Sequence, residues 1–184
     1  MTESPAPRRV PLATKAIVAG LVALAVALVF WQRLYRTAEV VLAGGVLRLT
    51  TGHGVYVADT RQTVYFGLGG EHPFGLKMTP ECTSAFLVLP LVVVGAIMIA
   101  LRPRITRQVL IALGVAALAV IVVNQLRVLT IVGLVNWLGT DLGYYWGHTM
   151  LGSMVSVFGG AVALVLFVWL ATRNRAGQET GRTA

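Results

Sequence analysis

Three residues of this 184-residue chain are of the types that make up a thiol-based acyl-transfer centre: Cys82, Arg127 and His148. A thiolate attacks a carbonyl carbon, an imidazole takes the thiol proton and passes it to the leaving amine, and a guanidinium stabilises negative charge on the sulfur or on the tetrahedral intermediate. An apolar setting opposes the thiolate, which is why a cation and a base belong beside it. Cys82 is the sole cysteine. An internal disulfide is therefore excluded, which leaves packing, a reactive thiol or half of an intermolecular link. A redox role is disfavoured because no second cysteine is there to resolve a disulfide. One cysteine and three scattered histidines, without carboxylates at ligand spacing, form no metal framework, so neither metal nor cofactor is expected.

The elements that must carry these residues follow from composition. Hydrophobic residues make up 57% and charged residues 12%, against about 25% charged in a soluble domain. That balance belongs to an integral membrane protein. The net charge of +8 comes from basic residues spread around the ends of apolar runs, without a basic patch interleaved with aromatics, so nucleic acid is not the expected partner.

The fold class expected is mainly α, a polytopic membrane protein forming one membrane domain over residues 1–184. Residues 1–11 form a mobile cytoplasmic lead, residues 36–80 an extracytoplasmic loop and residues 172–184 a cytoplasmic tail. Apolar runs predict about four transmembrane helices. The first covers 16–31, extended to Leu12 and Tyr35, which approaches the roughly 20 residues that cross a bilayer. A cleaved signal peptide is disfavoured there, because Phe30-Trp31-Gln32-Arg33 offers no small-residue cleavage site. The second runs over 83–101, with Pro90 as a source of a kink. The third runs from 109 through Asn124, Gln125 and Arg127 to 138, and the fourth covers 149–171.

Residues 37–49, with Glu39 and Arg48 near the ends, read as an amphipathic helix lying in the interface, although Gly44-Gly45 weakens it. Residues 55–57 and 63–66 are β-branched and aromatic and predict a small hairpin. Residues 67–75 read as a glycine-rich loop back to the membrane. Residues 139–147, with Tyr144, Tyr145 and Trp146, read as an aromatic connection at headgroup level.

Short cytoplasmic loops are rich in Lys and Arg. Arg8, Arg9 and Lys15, then Arg102, Arg104 and Arg107, then Arg173 and Arg175 all fall on one side in a four-crossing arrangement, with both termini cytoplasmic. Cys82, Arg127 and His148 then approach the opposite, extracytoplasmic face from three different helices. Each has a bland counterpart: a packing cysteine, an arginine snorkelling to headgroups, an interfacial histidine beside aromatics. Their convergence at one level favours the functional reading. An arginine inside a membrane helix costs at least about 2.5 kcal/mol, so it belongs where it faces protein or water. Asn124, one turn before Arg127, shares its face and completes a polar notch. Asp141 is the acidic residue of the outer connection near His148 and a candidate to orient it. His53 and His72 lie in loop contexts and are read as structural.

The sequence resembles the exosortase and archaeosortase family of membrane-embedded cysteine transpeptidases. The resemblance rests on Cys82 opening a membrane helix and followed by Thr83, on Asn124-Gln125-Leu126-Arg127 as an Asn-x-x-Arg pattern, and on His148 with Gly152 opening the last helix. It covers roughly residues 38–171. It implies cleavage of C-terminal sorting signals on secreted proteins, with transfer of the acyl group to an envelope acceptor. Cys82 would be the nucleophile, with Arg127 and His148 as catalytic partners. Two departures stand out: the chain has only the core four helices, and Glu81 adds a negative charge directly before the thiol. The rival reading from another class is a nonenzymatic small membrane protein, an assembly subunit or transporter component, in which Arg127 and Asn124 line a polar path.

Overall fold

The structure, a computed structural model, describes residues 11–51, 54–69, 73–79 and 82–173. The lead up to Val10, His53, His72, Glu81 and the tail from Asn174 lie outside the described residues.

Helix α1 (Leu12–Phe30) begins after Pro11, whose fixed φ suits a helix entry. It is apolar on every side and buries only Thr14 and Leu21, the pattern of a helix whose surroundings are lipid. The chain breaks at Trp31 and restarts as α2 (Gln32–Thr51). The apolar run expected to extend to Tyr35 therefore ends five residues short, and the amphipathic helix expected over 37–49 is longer at both ends. Val40, Ala43 and Leu47 recur at helical spacing on α2 and are fully buried, with Glu39 beside them at 4% exposure. Gly44 faces Val57, and a Cβ there would collide with that side chain. The glycine that weakens the helix on propensity is what lets a strand pack directly upon it.

The hairpin is present as β1 (Gly54–Ala58) and β2 (Thr63–Leu68), with Tyr56 opposite Tyr65 and Val57 opposite Val64. A third antiparallel strand, β3 (Phe74–Lys77), pairs Phe74 with Phe66 and Leu76 with Val64. Its residues were expected partly as loop. Gly75 is needed there because the Tyr65 ring lies over it, 2.7 Å from where a Cβ would stand. Val64, Phe66 and Leu76 point inward and join Val40, Ala43 and Leu47 of α2 in one apolar cluster.

Helix α3 (Ala85–Leu101) contains Pro90 and ends at a turn bearing Arg102 and Arg104. Helix α4 (Thr106–Leu138) is unbroken for 33 residues, roughly 50 Å. The chain then returns alongside it through α5 (Thr140–Tyr145), a wider π-helical turn (Trp146–Leu151) and α6 (Gly152–Thr172). Residues 139–147, expected as a connection, are thus mostly helical. Their glycines serve packing: a Cβ on Gly143 would run into the backbone at Leu134 and Val135, and one on Gly147 would stand 3.1 Å from the Ile131 Cα.

Among the described residues, three stretches are long and apolar enough to cross a membrane: Leu12–Phe30, Pro103–Leu138 and Thr140–Thr172. Ala85–Leu101 is equally apolar but shorter. Along α4, Val109 to Val120 belong to a cluster shared with α1, α3 and α6, and Val128 to Val135 to the cluster with α2 and the sheet. Asn124, Gln125 and Arg127 fall between the two, all buried.

Candidate active site

Cys82 lies in a turn just before α3, not in the helix itself. Its N–H bonds the Thr79 carbonyl at 3.0 Å, and the Thr79 hydroxyl donates to Sγ at 3.2 Å. The thiol is half-buried and free. Two residues later Ser84 caps α3: its carbonyl accepts the Leu87 and Val88 N–H groups at 3.0 Å, while its own N–H donates to Glu39 Oε1, and the chain's polar segment gives way to apolar helix.

Arg127 enters this turn from α4. It is 8% exposed, and its Nη2 donates to Cys82 Sγ at 3.5 Å while Nη1 donates to Ser156 Oγ of α6 at 3.1 Å. Ser156 Oγ–H donates to the Gly152 carbonyl at 3.0 Å, so the guanidinium is held between the thiol and the first turn of α6. Gly152 makes room for it: a Cβ would stand 3.0 Å from Arg127 Nε and would also collide with the Gly147 carbonyl. Arg127 Nε is buried without a hydrogen-bond partner among the described residues.

His148 comes from the π-helical turn between α5 and α6. Such wide turns re-aim side chains that a regular helix would carry past, and they recur at functional sites. Its ring stacks on Tyr144, with centroids 5.1 Å apart and planes 6° from parallel. Tyr144 in turn meets Phe74 of β3 at 5.4 Å, and Phe74 meets Phe66 at 5.6 Å. A chain of rings thus runs from the sheet's core to the imidazole. His148 Nδ1 is buried with no partner among the described residues. Asp141, the residue considered for orienting it, is exposed at the start of α5. Ring stacking, not a carboxylate, therefore sets the plane of the imidazole.

All three residues line one cavity of about 620 Å³ between α3, α4 and α6. Thr79, Cys82, Asn124, Arg127, His148 and Ser156 supply polar groups, and Leu87, Val120, Val123 and Val157 supply apolar wall. A second, small pocket on the sheet side touches the same Cys82, Arg127 and His148. A model of the transmembrane exosortases matches residues 42–169. The chain belongs to the transmembrane exosortase family. No curated protein and no solved structure matches it. The family is one of membrane transpeptidase type, and the matched span takes in Cys82, Arg127 and His148 together with the whole sheet.

Asn124 and Arg127 share a face of α4 as the spacing requires and both reach the cavity, but their bonds diverge. Arg127 serves Cys82 and Ser156, whereas Asn124 donates to Glu39 at 3.0 Å. Glu39, Tyr35, Thr79 and Ser156 are polar residues around the site that sequence reasoning missed. The one signal for Glu39 is its position with Tyr35 at i and i+4, on the face of α2 that also carries Val40, Ala43 and Leu47.

Proposed function

We propose that this exosortase is a membrane cysteine transpeptidase that cleaves C-terminal sorting signals of secreted proteins, with Cys82 as nucleophile and Arg127 and His148 as its partners. The observation that carries the reading is the 3.5 Å approach of Arg127 Nη2 to Cys82 Sγ inside a cavity that His148 also lines. The guanidinium compensates negative charge on sulfur in a site walled by apolar side chains. His148 takes the thiol proton, and Sγ attacks the scissile carbonyl carbon. As the tetrahedral intermediate collapses, the C–N bond breaks, and His148 returns the proton to the departing amine. A thioester remains on Cys82. An amine on an envelope acceptor, or water, then attacks it and restores the thiol.

The cavity's mixed wall supports a substrate in which a short polar motif adjoins a membrane helix: polar groups gather near Cys82, while Val120, Val123 and Leu87 offer apolar contact. The orientation proposed has α3 as a fourth crossing, α2 lying in the interface, the termini cytoplasmic and the site extracytoplasmic. Supporting it, the arginine-bearing turn after Leu101 stands at the opposite end of α3 from Cys82, and Arg173, whose guanidinium lies 5.2 Å over Trp169, closes α6.

The test is a Cys82→Ala strain. Unprocessed secreted protein retaining its C-terminal signal should accumulate, and a membrane-impermeant maleimide should label wild-type Cys82 from outside intact cells. Normal processing in the Cys82→Ala strain would sink the enzyme reading in favour of the nonenzymatic one.

A further inference from the structure

We infer that Glu39, which the family match leaves just outside its first residue, is a positioning residue that sets Cys82 against Arg127; the inference rests on the reading of Cys82 as nucleophile. Its carboxylate is buried, and its described partners are all neutral donors. Oε2 accepts the Thr83 hydroxyl; Oε1 accepts the Ser84 N–H at 3.0 Å and the Asn124 amide at 3.0 Å. Thr83 directly follows the thiol, and Asn124 stands one helical turn before Arg127. One carboxylate thus grips both the turn that carries Sγ and the helix that carries the guanidinium. Tyr35, one turn earlier on α2, adds a second tie through its hydroxyl to Ser84 Oγ at 2.6 Å. Burial raises the Tyr35 phenol above its ordinary range, against the pull of the Ser84 bond, so the hydroxyl keeps its proton.

The chemistry of the grip explains why a carboxylate stands there. Three donors from two elements converge on one side chain, and a carboxylate, with two acceptor oxygens, meets all of them without any donor turning round. Glutamine keeps most of this. Its oxygen serves Ser84 and Asn124, and its amide donates to Thr83 Oγ1 once that hydroxyl turns round, while Ala85 N–H still reaches the same oxygen at 3.3 Å. Alanine keeps none of it. Among the described residues Sγ bonds Thr79 and Arg127, and Glu39 does not line the cavity, so its effect runs through the position of Cys82 and Arg127.

The experiment compares wild type, Glu39→Gln, Glu39→Ala, Asn124→Ala and Cys82→Ala as full-length chains in detergent. Melting temperature, the rate of Cys82 alkylation by N-ethylmaleimide, and kcat and KM on a processed sorting-signal reporter are measured. Glu39→Ala should lower kcat by at least about tenfold with KM little changed. Glu39→Gln should recover to within about threefold of wild type. Should Glu39→Ala fail to fold, Asn124→Ala, which cuts only the α4 side of the grip, should still slow alkylation and kcat together. Wild-type kcat in Glu39→Ala, equal losses in Gln and Ala, or wild-type alkylation in Asn124→Ala would overturn the inference. If Cys82→Ala itself still processed the reporter, the nucleophile assignment would fall instead, which separates the two failures.

Discussion

Arg127 joins the turn before α3 to helix α6 with one guanidinium, giving Nη2 to Cys82 Sγ and Nη1 to Ser156 Oγ, 3.5 Å and 3.1 Å away. Only a planar fork with two outward nitrogens can hold both at once, and the α6 contact fixes where the other nitrogen points.

Arg127→Lys should therefore fail as a conservative replacement. A single ammonium can approach either the thiol or Ser156, not both, and loss of one charge-stabilising donor costs about 2.7–4 kcal/mol, roughly a hundredfold or more in kcat. Ser156→Ala removes the bond that positions Arg127, about 0.5–1.5 kcal/mol, along with the hydroxyl's own bond to the Gly152 carbonyl, leaves the guanidinium beside the thiol, and should slow the reaction a few-fold. Single-turnover processing of a reporter substrate separates these; equal activity of Arg127→Lys and wild type would remove Arg127 from the chemistry.

Arg127 was legible in the sequence because a charged residue inside an apolar run stands out, and Cys82 because it is unique. Helical spacing then put Asn124 on the same face. Glu39 was not legible, since a lone glutamate in an amphipathic stretch reads as part of a solvated face, and its partner Asn124 lies 85 residues away. Strand β3 was hidden for a similar reason: Phe74-Gly75-Leu76-Lys77 is short and glycine-bearing, and only pairing with Thr63 to Phe66 makes it a strand. The glycines of residues 139–147 look like turn formers, yet Gly143 and Gly147 are required by the nearness of α4. Glycine's two uses, conformational freedom and close approach, cannot be told apart without knowing what lies opposite.

Gly152→Ala tests close approach at the site itself. The added methyl would press on Arg127 Nε from 3.0 Å and on the Gly147 carbonyl, so the guanidinium must shift and the π-helical turn must open. Cys82 alkylation and processing should both drop strongly. Gly114→Ala is the control, because a Cβ there meets nothing within 4 Å among the described residues. Processing should stay near wild type there.

Phe167→Ala probes the core away from the site. Phe167 is fully buried in the cluster of α1, α3, α4 and α6, and a Cβ on Gly95 would stand within 3.9 Å of its ring. Truncation should cost about 3–5 kcal/mol of stability. Thermal unfolding in detergent should show a lowered midpoint. At a temperature where the variant remains folded, the alkylation rate of Cys82 should match wild type, since none of the hydrogen bonds around Sγ or Arg127 involves this ring.

Tyr144 offers the sharpest test of how His148 is held. With Nδ1 unpartnered among the described residues, the face of Tyr144 and its contact with Phe74 are what fix the imidazole plane. Aromatic pairs of this kind are worth about 0.5–1.5 kcal/mol beyond area burial. Tyr144→Phe retains the ring and should leave processing unchanged, because no hydrogen bond to the phenol takes part among the described residues. Tyr144→Ala removes the ring, so kcat should fall several-fold while substrate KM holds. Phe74→Ala should give the same fall in weaker form, because its ring braces Tyr144 from behind. Were Tyr144→Phe as damaging as Tyr144→Ala, the hydroxyl and not the ring would be what matters, and His148 would be positioned by something other than the stack.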